Sequence, residues 1–242
     1  MRWCYGHGPQ LARRARRSET PTVGGVILVL VKLGGGVGRR SNEKRRVDTP
    51  VGNVDRRSNC QAALGCPMLV VFIHGPVASG KRTIGVRLSE AMGIPLFHNH
   101  LTVDLVKTLF GLFTEPFIRL RATLWRESFS EAARAGQSFI FTFTPEASVD
   151  RDLIDELTRI VEDAGGQVHF VALTCSREKI LARLPNPDRS NKLNDPRVYE
   201  EVERDGGFEF PPMPEASISV DTVAMSPSEA VAAIIEKLPK TG

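Results

Sequence analysis

The strongest constraint on this chain lies between residues 68 and 92. Met68-Leu-Val-Val-Phe-Ile-His74 is a continuous apolar run, and Gly75-Pro-Val-Ala-Ser-Gly-Lys-Arg-Thr83 follows it directly. A run that is apolar at every position reads as a strand covered on both faces, as in a parallel sheet; a half-exposed strand would alternate. Thr83 to Met92 then carries Ile84, Val86, Leu88 and Ala91 at helical spacing and stops at Gly93. A strand buried on both faces needs helices in front and behind, so this stretch alone demands a layered α/β domain.

The remainder keeps the same alternation. Strands are expected at Ile94–His98, Ser138–Thr144, Gln167–Thr174 and Ala216–Asp221. Helices are expected at Leu101–Leu112, Pro116–Ala135, Val149–Ala164, Glu178–Leu184, Arg197–Arg204 and from Ser226-Pro227 to Leu238. Pro116 and Pro227 suit first helical turns, and Ser226 suits an N-cap. Strands alternating with helices imply a parallel sheet with right-handed crossovers.

The turn after the first strand carries the chemistry. Gly75-x4-Gly80-Lys81 has the spacing of a P-loop. Phosphate oxygens concentrate negative charge, so successive backbone N–H groups must converge on them, and glycine lets the chain turn that closely. The following helix adds its N-terminal dipole, and Lys81 adds a full mobile charge. Gly75, Pro76, Val77, Ala78, Ser79, Gly80, Lys81, Arg82 and Thr83 are therefore expected to hold the phosphates of a nucleoside triphosphate, most simply ATP. In most P-loops a Ser or Thr follows the lysine and touches Mg2+. Here Arg82 takes that place and Thr83 comes one residue later. Arg82 is either a second phosphate cation or a solvated side chain, and Thr83 is the candidate metal contact.

Charge is unevenly spread. Residues 1–67 carry 13 Lys/Arg against 4 Asp/Glu, while residues 68–242 carry 19 against 24. The basic balance belongs to the Gly/Arg-rich N-terminal part, which lacks sustained periodicity and is expected to be a disordered extension; Met68 is a candidate translation start. The mildly acidic remainder argues against nucleic acid as a partner. Cys4, Cys60, Cys66 and Cys175 form no Cys-x-x-Cys pair, and no apolar run reaches the ~18 residues of a membrane span. The run Val26–Val31 after Arg13–Arg17 is cut short by Lys32 and does not make a secretory signal. A cytoplasmic protein with no membrane partner is the expectation.

Taken together, residues 68–240 resemble the small P-loop kinases, the group of shikimate, gluconate and nucleoside monophosphate kinases and the chloramphenicol phosphotransferase. They are most similar to an uncharacterised bacterial branch labelled AAA-type ATPase or shikimate-kinase-like. The P-loop, the stretch Leu96-Phe-His-Asn-His-Leu-Thr-Val-Asp104, the strand Ile140–Phe143 and Asp221-Thr222 before Ser226-Pro227 carry the resemblance. It implies a P-loop NTPase fold: a three-layer α/β sandwich with a five-stranded parallel sheet of order 2-3-1-4-5 and a lid at about 185–197. It also implies a phosphotransferase that uses ATP and Mg2+ and moves the γ-phosphate to a small hydroxyl-bearing metabolite or nucleotide. The alternative is a nucleotide-binding sensor or ATPase module without kinase turnover. His100 or Asp104, with His98 nearby, would face the acceptor; Asp104 could equally be a first-turn acid that favours the helix dipole. Lys81, Arg183, Arg189 and Lys192 would hold charge on the transferring group. Arg119, Arg121 and Arg126 lie on the acceptor-side helix, where at most two can point inward. The acidic residue usual at the end of the third strand is missing, and Thr142 and Thr144 stand there. No motif encodes the acceptor or the oligomeric state.

Overall fold

The computed structural model describes residues 67–187 and 192–239. The N-terminal extension with its basic clusters, Cys4, Cys60 and Cys66, and also Arg189, lie outside the described residues. The strands are β1 (Leu69–His74), β2 (Leu96–His98), β3 (Phe139–Phe143), β4 (Gln167–Thr174) and β5 (Ile218–Asp221). The helices are α1 (Lys81–Met92), α2 (Asn99–Val106), α3 (Glu115–Arg134), α4 (Arg151–Asp163), α5 (Arg177–Arg183), α6 (Pro196–Arg204) and α7 (Pro227–Lys237). The five strands run parallel in the order β2-β3-β1-β4-β5, as expected from the resemblance.

All six residues of β1 are buried, because β3 and β4 flank it and both faces are covered. Alternation along the strand divides the core in two. Val70 and Phe72 join Trp125 and Phe129 of α3 and Leu153 and Leu157 of α4 on one face. Leu69, Val71 and Ile73 join Ile84 and Leu88 of α1 and Ile234 of α7 on the other. The first face is aromatic: Phe72 meets Phe141 edge-on at 5.1 Å, and Trp125 meets Phe141 at 5.7 Å. The large rings fill the space between sheet and helix with few side chains, which fixes how α3 lies on the sheet. Helix starts follow the sequence signals. Ser226 and Glu229 form a reciprocal capping box on α7, and Asp150 caps α4 through the Asp152 N–H.

Several element ends shift by a few residues from the sequence expectation, and two of the shifts bear on the site. α1 starts at Lys81, so the lysine belongs to the first helical turn. α2 ends at Val106 instead of reaching Leu112. Thr108 turns its hydroxyl onto the Leu105 carbonyl at 2.7 Å, an alternative to continuing the helix. Among the described residues no helix is long and apolar enough to cross a membrane.

Candidate active site

β1 delivers the chain to its glycine turn at the carboxyl edge of the sheet. That edge is where ligands bind in open parallel sheets, beside the strand from which connections run both ways. Gly75 has φ 152°, and a Cβ there would lie 2.4 Å from the Leu173 carbonyl oxygen of β4. Only glycine lets the turn pass this close. Ala78 and Gly80 are both left-handed, at φ 59° and 92°, and Gly80 is the N-cap of α1 with no side-chain cap. The first N–H groups of α1 are thus left for an incoming acceptor, in a 12-residue helix whose dipole favours an anion. Lys81 Nζ donates to the carbonyls of Gly75 at 2.8 Å and Pro76 at 2.6 Å and reaches Ser79 Oγ at 3.4 Å, so its charge sits over the loop.

Arg183 of α5 ties this loop to the far end of the sheet. Its Nη1 donates to Thr222 Oγ1 at 3.1 Å and to the Ala78 carbonyl at 3.4 Å, and its Nη2 donates to the Thr222 carbonyl at 2.7 Å. Thr222 Oγ1 in turn donates to the Thr174 carbonyl at 3.0 Å.

On the other side of the loop, His98 ends β2 and caps α2. Its Nδ1 accepts the His100 N–H at 3.1 Å, so neutral His98 carries its proton on Nε2. That Nε2 and Asn99 Oδ1 are buried without a hydrogen-bond partner. Burial, helped by Lys192, lowers His98 to a pKa of about 4 and His100 to about 3. Burial, helped by Lys81, lowers His74 at the end of β1 to about 4. All three are neutral at physiological pH and act as hydrogen-bonding groups, not charges.

Beyond the histidines, α3 presents Phe117, Arg121, Trp125 and Phe129 at four-residue spacing as its buried stripe. Arg121 is 2% exposed. Its Nη1 donates to Glu146 Oε1 at 2.6 Å, and its Nη2 donates to the Ser148 carbonyl and hydroxyl at 3.1 and 3.2 Å. The guanidinium lies over the rings of Phe117 and Trp125, at 5.3 and 5.1 Å. One cavity of about 1110 Å³ joins these parts. The loop, Arg183 and Thr222 line one end; His98, His100, Thr142, Thr144, Arg121 and Glu146 line the other. That volume reaches the top of the range for a single drug-sized ligand, which suits two ligands meeting over the loop.

No protein-family model and no curated protein matches the chain. Solved structures do match. A sugar kinase from Janibacter sp. HTCC2649 is 20% identical, with a TM-score of 0.50, over 70% of this chain and 94% of that one. A gluconokinase from Sinorhizobium meliloti is 19% identical, with a TM-score of 0.50, over 71% of this chain and 90% of that one. The Mycobacterium tuberculosis APS kinase CysC, solved with AMPPNP and APS, is 13% identical, with a TM-score of 0.51, over 71% of this chain and 97% of that one. The fold is that of the small P-loop kinases.

Within this P-loop kinase fold the expected residues divide. Lys81, Arg82, Thr83, His98, His100, Arg183 and Lys192 all line the cavity. Asp104 does not; its carboxylate pairs with Lys107 Nζ at 2.5 Å. Arg119 and Arg126 pair with Glu115 and Glu156 at 2.8 and 2.7 Å and also stay outside the cavity, leaving Arg121 as the inward arginine of α3. The residues present do not fit a protein-held Mg2+. Arg82 occupies the hydroxyl position and Thr83 is exposed. Among the described residues no group of three or more His, Cys, Asp or Glu could hold a metal.

Glu146 is the residue that sequence reading missed. It lies three positions beyond β3, past the strand end where the family's acid is expected. The available signal was Arg121, an arginine in the middle of an aromatic stripe, which must bury a carboxylate with it.

Proposed function

We propose that this chain is an ATP-dependent phosphotransferase that moves the γ-phosphate of ATP to a small hydroxyl-bearing acceptor. The observation that carries the reading is the continuity of the cavity. An uncapped helix start with its lysine opens directly onto a second compartment of neutral hydrogen-bonding groups. A nucleotide sensor needs the first and has no use for the second.

In this reading the loop amides and Lys81 hold the β- and γ-phosphates, and Lys192 adds charge from across the cavity. His98, Asn99 and His100 orient the acceptor hydroxyl. Its oxygen bonds to the γ-phosphorus as the bond from that phosphorus to the bridging oxygen breaks, and ADP leaves with the electron pair. The proton leaves late, through a phosphoryl oxygen to water. A ring nitrogen with a pKa of about 3 is a poor base, and a loose phosphoryl transition state needs little base. Magnesium would arrive as part of the nucleotide complex. In the cell the protein would be cytoplasmic.

The test is phosphoryl transfer from γ-labelled ATP to a metabolite extract, with and without magnesium, for the wild type and Lys81→Ala. Tight ATP binding with no labelled product from any acceptor would leave the sensor as the better reading, one that the arginine at position 82 also suits.

A further inference from the structure

The acceptor compartment has an unusual composition for a site next to a phosphate loop. Its arginine is already neutralised: the Arg121 guanidinium is buried and bonded to Glu146 and Ser148. Lys107, also on the cavity wall, pairs with Asp104, while Lys192, with Lys81, brings positive charge to the side of His98 and His100. Val103, Phe110, Phe113, Phe117, Val202 and Phe208 supply much of the remaining surface. Phe113 stands at φ 61°, a left-handed conformation that a bulky side chain rarely adopts. Its ring nevertheless sits 5.8 Å from that of Phe117 and, like Phe208, packs against Val202. Backbone strain at a cavity wall persists only where the surroundings hold it, and here it places an aromatic face in the compartment. Glu146 receives both Arg121 and Ser148 on Oε1, which leaves Oε2 to accept a hydrogen bond from a ligand.

Resting on the phosphotransferase reading, we infer that the acceptor is an alcohol with a ring-sized apolar body and a hydrogen-bond donor for Glu146. Open-chain polyols, hydroxylated sugar acids among them, are excluded as preferred acceptors. A polyol would strand hydroxyls against phenylalanine rings, and unpaired polar groups cost more than the contacts return. A flat apolar body stacks on those rings, and its hydroxyl points back to His98, His100 and the loop.

Binding can be read without turnover. The full chain, saturated with a non-hydrolysable ATP analogue, is titrated by ligand-observed NMR with 2-phenylethanol, cyclohexylmethanol, glycerol and gluconate. The ring alcohols are expected to bind at least tenfold more tightly than the others. Phe113→Asn keeps a residue that tolerates the left-handed backbone but removes the ring; it should weaken the ring alcohols by about tenfold and leave the analogue's affinity unchanged. Glu146→Gln should raise gluconate affinity relative to the ring alcohols by releasing the Arg121 charge. Glycerol or gluconate binding as tightly as the ring alcohols overturns the inference. So does an absence of ring-alcohol binding, or full binding by Phe113→Asn. Failure of the ATP analogue itself to bind is a separate result: it removes the phosphotransferase reading, and the panel repeated without nucleotide still decides the pocket's preference.

Discussion

Replacing Glu146 by glutamine should destabilise the protein more than its position in a loop suggests. The substitution removes one charge and leaves Arg121 with a side chain only 3% exposed. Breaking a buried pair by deleting one partner costs roughly 3–5 kcal/mol. Two features reduce that figure. Glu146 itself is 22% exposed, so water reaches part of the pair. Arg121 also keeps its bonds to Ser148 and its place over two aromatic rings. About 2–3 kcal/mol is the expected loss, which for a domain of this size lowers Tm by roughly 5–10 °C. Urea unfolding of the wild type, Glu146→Gln, Arg121→Met and the double variant measures it. The double variant should be more stable than Glu146→Gln alone, because removing the stranded cation relieves its burial. A Glu146→Gln protein within about 0.5 kcal/mol of the wild type would refute the reasoning, since that is the scatter of an ordinary surface change.

Other expectations follow from the same geometry. Lys81→Ala should weaken binding of an ATP analogue by roughly 10–100-fold, the value of a charge-assisted contact, with little change in Tm; calorimetry decides it. Gly75→Ala should cost about 2–4 kcal/mol in denaturant, because the new methyl meets a β4 carbonyl and the backbone cannot retreat. Stability should also depend on pH through His74, His98 and His100, whose folded pKa values lie near 4, 4 and 3, below the ordinary 6.5. Depressed histidines leave the unfolded chain binding more protons, so their contribution is complete above about pH 6.5 and falls as pH drops towards 4. Urea midpoints between pH 7 and 5 should decline, and His98→Asn should flatten the slope; an unchanged slope would mean that His98 titrates normally.

The parts of this molecule that could be read from the chain are those determined by neighbours in sequence. The all-apolar β1, the glycine turn and the α7 cap each depend on a few adjacent residues. The end of α2 misled because Leu101, Leu105 and Leu109 repeat at helical spacing, yet they are 62%, 59% and 72% exposed and pack on no core. Periodicity was present without burial. In the candidate site, the glycine turn was legible as a contiguous motif, whereas the Arg121–Glu146 pair joins residues 25 apart through the fold of α3 over β3. Asp104 was attractive because it follows two histidines closely, but one more helical turn brings it to Lys107 instead of the cavity.

The central position of β1 also shapes how the protein is made. Its six buried residues emerge before the other strands, yet the Leu69 N–H waits for Ser138, 69 residues later, and the opposite edge waits for β4. Until then a sticky, hydrogen-bond-hungry segment has only transient cover, and non-local pairing of this kind is slow and prone to aggregation. Any nascent or truncated product that stops short of Thr174 lacks the strand that seals β1, and such fragments should collect in the insoluble fraction or on chaperones.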